Sequence, residues 1–124
     1  MKKKILVVDD EASLTRLIKA NLERTGNYEV MTENHGSKAI ETARKFKPDL
    51  IFLDVMMPDM GGDEVAAMLE EDPLLSHIKY VFLTAIVRRE ETEPTGSDIG
   101  GHLFLAKPVR TEELIATIEK ILGP

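Results

Sequence analysis

The chain has 124 residues, 43% of them apolar and 31% charged, with no cysteine and a formal net charge of -6. That length and mix describe one globular domain able to bury about two-thirds of its unfolded surface. They exclude disulfides, zinc–thiolate sites, iron–sulfur clusters and thiol nucleophiles, and the acidic balance argues against direct nucleic-acid binding through charge. The predicted elements alternate in type. Ile5-Leu6-Val7-Val8 is a short, continuous, largely β-branched run and reads as a buried strand. Leu14, Leu17, Ile18 and Leu22 recur at helical spacing, and Gly26 stands where that helix stops. Tyr28-Glu29-Val30 alternates like a half-exposed edge strand. Ala39, Ile40, Ala43 and Phe46 form a second helical stripe, closed by Pro48. Leu50-Ile51-Phe52-Leu53 is another buried strand, and Val65, Met68 and Leu69 mark a third helix that ends before Pro73. Tyr80-Val81-Phe82-Leu83 and Leu103-Phe104-Leu105 are the fourth and fifth strands. The last helix carries Leu114, Ile115, Ile118, Ile121 and Leu122, with Thr111 as its expected N-cap and Gly123 as its end.

This order predicts a doubly wound α/β fold: a five-stranded parallel sheet, strand order 2-1-3-4-5, with helices on both faces. One stretch breaks the rhythm. Residues 88–98 contain no apolar side chain, and they hold Pro94 and Gly96. A helix there could bury nothing, so the fourth helix is expected to be short, displaced or irregular; the alternative is two turns around Arg89 to Glu93. No apolar run nears the roughly 18 residues of a membrane span. After Lys2-Lys3-Lys4 the apolar stretch is too short for an export signal, so the expected location is cytoplasmic.

In such sheets ligands bind beyond the carboxyl ends of the strands. Strand 1 ends in Asp9-Asp10-Glu11, strand 3 in Asp54, strand 4 in Thr84-Ala85 and strand 5 in Lys107-Pro108. Each has a bland reading. Asp10 could cap the first helix, Asp54 could be a turn residue, Thr84 an ordinary strand residue and Lys107 a solvated charge. Their joint arrival at one sheet edge is harder to explain that way. Two carboxylates about 4 Å apart repel by about 4 kcal/mol at an effective dielectric of 20, so such a cluster calls for a cation or a raised pKa. With no His or Cys beside it, an all-oxygen site suits Mg²⁺. One carboxylate could then act as a nucleophile and become an acyl phosphate, with Lys107 and the Thr84 hydroxyl on the transferring group. His35, His77 and His102 share no metal spacing and read as surface or loop residues; Met56, Met57 and Met60 read as loop and core packing rather than a metal or sulfur site. Gly61-Gly62 lacks the Lys-Ser/Thr of a phosphate loop, and no G-x-G-x-x-G follows the first strand, so no nucleotide or flavin is expected.

VVDDE at 7–11, LDVMMPDMGG at 53–62, LTA at 83–85 and LAKP at 105–108 together resemble the receiver domain of bacterial two-component response regulators, over essentially the whole chain. The resemblance implies that Asp54 is the phosphoacceptor. It implies that Asp9, Asp10 and Asp54 hold Mg²⁺ with the backbone carbonyl of Met56, and that Lys107 pairs with Asp54 or its phosphate. Thr84 would be the switch hydroxyl. Phe104 stands where the family keeps its switch aromatic, or is simply a core residue of strand 5. A cis Lys107–Pro108 bond is also implied. Met56 and Ile86 would flank the path of the hydrolytic water; both are apolar, so the phosphoryl group should be lost slowly. The expected function is a phosphorelay switch, fed by a histidine kinase or phosphotransfer protein and changing its partner-binding surface, rather than an enzyme acting on outside substrates. Residues 1–124 read as a single receiver domain with no output domain in the chain, so output would pass to a separate downstream protein. Dimerisation through the family's fourth-helix face is in doubt, which leaves a monomer or weak dimer. The alternatives are a non-phosphorylated pseudo-receiver that only docks partners and a Mg²⁺-dependent phosphohydrolase. The second would need a D-x-D-x-T pattern after strand 1, which Asp9-Asp10-Glu11-Ala12-Ser13 does not match.

Overall fold

A computed structural model describes residues 2–85, 97–99 and 102–124. Five strands run parallel: β1 (Lys3–Val8), β2 (Tyr28–Glu33), β3 (Leu50–Asp54), β4 (Lys79–Thr84) and β6 (His102–Ala106). Their spatial order is β2-β1-β3-β4-β6, the doubly wound arrangement that the alternation predicts. A sixth, β5 (Ser97–Ile99), adds an antiparallel edge outside β6, with Ser97 opposite Phe104 and Ile99 opposite His102. The sequence pattern did not predict this strand. It lies in the stretch whose pattern predicts an irregular fourth helix; the rest of that stretch, residues 88–96, lies outside the described residues, as does Ile86.

The continuous apolar runs have a direct cause. Both faces of the sheet are covered, so neither side of a central strand can be polar. Leu6, Val8, Ile51 and Leu53 point to one core with α2 (Ala39–Phe46) and α3 (Gly62–Glu71). Ile5, Val7, Leu50 and Phe52 point to the other, with α1 (Ala12–Glu23) and α4 (Thr111–Leu122). Edge strand β2 alternates as expected, Tyr28 and Val30 buried and Glu29 and Met31 exposed.

Three local expectations change. Leu17 is 57% and Met68 42% exposed, so neither belongs to the core stripe assigned to its helix. The N-cap of α4 is Arg110 rather than Thr111, which is the first helical residue. The Glu113 carboxylate explains the shift, because it accepts the Arg110 backbone N–H at 3.0 Å and closes the first turn one residue early. Helix α1 stops through Gly26 at φ 82°, and α4 ends at Gly123 at φ 91°, as the glycines suggest.

Candidate functional site

The carboxyl ends of β1, β3, β4 and β6 converge at one edge of the sheet. Asp9 follows β1 and is fully buried; Asp54 ends β3 and is 4% exposed; Asp10 is exposed. Each offers one carboxylate oxygen, and the three oxygens lie within 4.8 Å of one another. Lys107, just after β6, sits among them. Its ammonium lies 2.7 Å from Asp9 Oδ2 and 3.2 Å from Asp54 Oδ1, with exposed Glu11 farther off at 3.8 Å. The Lys107 backbone N–H donates to the Thr84 carbonyl at 2.9 Å, and the Lys107–Pro108 peptide bond is cis.

The electrostatics follow from burial. Desolvation, joined by the Asp9 charge, pushes the Asp54 carboxyl up to about 6 against the pull of Lys107. Burial opposes the Lys107 charge, yet its bonds to Asp9 and Asp54 outweigh that, and the ammonium holds its proton above the usual lysine range. One cation among three close carboxylates leaves the cluster net negative. Among the described residues, no hydrogen bond reaches Asp9 Oδ2 beyond its ion pair with Lys107. A hard divalent cation fits this donor set: the ligands are all carboxylate oxygens, and the Lys107 ammonium balances only part of their charge.

The structure therefore brings Asp9, Asp10, Asp54 and Lys107 together. Thr84 is buried at the end of β4, next in the chain to Leu83, the register partner of Asp54. Met56 follows two residues after Asp54; its backbone N–H lies 3.4 Å from Asp54 Oδ1, and its side chain is 68% exposed. Phe104 is half-buried farther down β6, where its ring stacks on Phe82 with centroids 5.1 Å apart. Asp10 is not a helix cap. The N-cap of α1 is Glu11, whose backbone N–H donates to Asp9 Oδ1 at 2.9 Å. His102 is exposed at the surface, on strand β6, where it packs against Tyr80 and Phe82.

Two supports of the site escaped the sequence reading. Asn34, after β2, bonds the backbone of Asp9. Asp59, in the loop after Asp54, accepts bonds from the Gly36 and Ser37 backbones and from the Ser37 hydroxyl. Gly36 is needed there, because a Cβ would stand 2.1 Å from the Met60 carbonyl oxygen. The only available signal was the polar run Asn34-His35-Gly36-Ser37, which marks a loop without naming its partners.

Comparison with known proteins places this geometry in context. The family described as response regulator receiver domain matches residues 5–119. The alkaline phosphatase synthesis transcriptional regulatory protein PhoP of Bacillus subtilis is 42% identical over 123 residues, 98% of this chain and 49% of that protein. The chain thus spans about half the length of that relative. The polar-differentiation response regulator DivK of Brucella anthropi is 31% identical over 123 residues, 99% of this chain and 98% of that protein. Among solved structures, the chemotaxis protein CheY4 of Vibrio cholerae matches with a TM-score of 0.81 at 30% identity, covering 98% of this chain and 99% of that one.

Proposed function

The chain belongs to the response regulator receiver domain family of two-component signalling, and from that premise we propose that Asp54 accepts a phosphoryl group from a histidine kinase or phosphotransfer protein. The observation that carries this is the placement of Lys107 between Asp9 and Asp54, at 2.7 and 3.2 Å, beside three carboxylates within 4.8 Å. An ammonium in that position can neutralise a phosphoryl oxygen on Asp54 as soon as it arrives.

The residues divide the work. Asp54 is the nucleophile because it is the more loosely held of the buried pair: Lys107 and the Met56 N–H lie 3.2 and 3.4 Å from it, against 2.7 and 2.9 Å for Lys107 and the Glu11 N–H on Asp9. With its carboxyl near 6, Asp54 is ionised at neutral pH. Its oxygen attacks phosphorus, the P–N bond of a phospho-imidazole breaks, and the electron pair stays on the imidazole nitrogen, which takes a proton from water. Asp9, Asp10, Asp54 and the Met56 carbonyl would hold Mg²⁺, which when bound supplies positive charge to the phosphoryl oxygens. Lys107 and the Thr84 hydroxyl bind the remaining oxygens, and the shift of Thr84 toward the phosphoryl group, followed by Phe104, alters the partner surface. No helix among the described residues is long and apolar enough to cross a membrane. The proposed output is binding to a protein partner.

The test is incubation of the chain with acetyl phosphate and Mg²⁺, read by intact mass. One phosphoryl group added to the wild type and none to Asp54→Ala is the expected result. No addition to the wild type would support a docking module instead. Turnover of many acyl or monoester phosphates with release of inorganic phosphate would support a hydrolase.

A further inference from the structure

The loop that carries Asp9 and Asp10 has few anchors of its own. It runs from the end of β1 to the first turn of α1. Besides the Asp9 N–H bond to the Glu33 carbonyl, the Glu11 N–H bond to Asp9 Oδ1 and the Lys107 ion pair with the Asp9 carboxylate, a side chain from outside the loop holds its backbone. The Asn34 side-chain amide donates to the Asp9 carbonyl oxygen at 2.8 Å and to Thr15 Oγ1 at 3.0 Å. The chemistry orients that amide. A peptide carbonyl only accepts, and the Thr15 hydroxyl spends its proton on the Ala12 carbonyl at 3.1 Å, so both neighbours present lone pairs to the Asn34 NH₂. Thr15 is buried in α1, so the bond ties the loop to a fixed point of the helix.

Asn34 is itself held. Its backbone N–H donates to Glu33 Oε1 at 3.1 Å, and Glu33 Oε2 accepts the Thr42 hydroxyl of α2 at 2.9 Å. The half-buried amide therefore links the end of β2, the Asp9 loop and α1 through hydrogen bonds to a backbone carbonyl and a hydroxyl. Carboxylates that repel one another need their backbone fixed by something other than their own charges, and Asn34 meets that need.

We propose that Asn34 is a positioning residue for the Asp9–Asp10 pair, and that it sets the affinity of the site for a divalent cation. Groups that orient metal ligands from behind typically change metal affinity about 10- to 100-fold when removed. The inference rests on the Mg²⁺ reading above, and the experiment separates the two. Mg²⁺ binding to the full chain is measured by calorimetry for wild type, Asn34→Ala, Thr15→Val and Thr25→Ala. Thr25 bonds the Leu22 carbonyl beyond the far end of α1, so its variant controls for lost stability. Asn34→Ala should weaken Mg²⁺ binding about tenfold. In phosphorylation by acetyl phosphate it should raise the Mg²⁺ concentration for half-maximal rate by the same factor, while the maximal rate at saturating Mg²⁺ stays at the wild-type level. A merely structural role would lower the melting temperature and leave the Mg²⁺ dependence of the folded protein alone, as Thr25→Ala should. If Asn34→Ala does not fold, Thr15→Val decides: it removes one of the two acceptors and should weaken binding about threefold, a smaller effect of the same kind. Unchanged Mg²⁺ affinity in the deciding variant overturns the inference. A wild type that binds no Mg²⁺ overturns the cation site itself.

Discussion

Asp54 ends β3, Asp59 lies in the loop that follows, and the two meet opposite fates. Asp54 is buried beside another carboxylate, and desolvation with the Asp9 charge lifts its carboxyl to about 6. Asp59 is exposed, and the Ser37 hydroxyl and backbone N–H, with that of Gly36, hold its carboxyl down to about 2. The residue type is the same, so the difference comes from what surrounds it: burial beside a like charge raises a carboxyl even with an ammonium in reach, whereas an exposed carboxylate that receives several hydrogen bonds is stabilised. The first environment suits the nucleophile proposed at position 54. The second staples the loop to the segment after β2.

The contrast breaks most sharply under substitution. Asp54→Ala should abolish phosphoryl acceptance from acetyl phosphate, whereas Asp59→Asn should retain it; equal loss in both, measured by intact mass, would erase the distinction. Next in size is Lys107→Ala. Removing the ammonium strips Asp9 and Asp54 of the cation between them, and the phosphorylation rate should drop about 100-fold, the usual effect of losing one preorganised charge-stabilising donor. Gly62→Ala comes third. A Cβ there would stand 2.4 Å from the Asp54 carbonyl oxygen, so the Asp54 backbone must move. The expected cost is about 1–3 kcal/mol of stability by denaturant titration, with about tenfold slower phosphorylation.

The pH dependence sharpens the same comparison, with opposite signs at the two sites. The Asp54 carboxyl is raised in the fold, from 3.8 to about 6. Between those values the folded chain binds more protons than the unfolded one, so this group removes stability as pH rises from about 4 to about 6. Asp54→Asn should therefore be more stable than wild type at pH 7 and no more stable at pH 3.5. Asp59 runs the other way. Its carboxyl is lowered from 3.8 to about 2, so its contribution is present above pH 4 and is lost as pH falls toward 2. Asp59→Asn should narrow the gap between neutral and acid stability. The smallest expected effect is at Met56, whose exposed thioether is a poor partner for a hydrolytic water. Met56→Asn should speed loss of the phosphoryl group a few-fold, and an unchanged rate would show that this position does not set the lifetime.

How much of this was legible beforehand depended on the range of the interaction. Ile5 to Val8 and Leu50 to Leu53 announce a sheet covered on both faces because burial acts residue by residue, and strand ends deliver Asp9, Asp54 and Lys107 to one edge by topology alone. Leu17 and Met68 misled because helical spacing shows which residues share a side of a helix, not how wide a strip its neighbours cover. β5 exists through pairing with β6, which no local pattern in Ser97-Asp98-Ile99 encodes. Asn34 and Asp59 were invisible for the same reason: each acts on a partner more than twenty residues away through a single polar side chain.

The central claim is that, of the clustered aspartates, Asp54 alone carries the phosphoryl group. Borohydride reduction of the phosphorylated chain converts an aspartyl phosphate to homoserine, which peptide mass mapping locates. The account predicts homoserine at position 54 and aspartate at 9, 10 and 59. Homoserine at any of those three, or at none of the four in a chain that has gained phosphate, would contradict it.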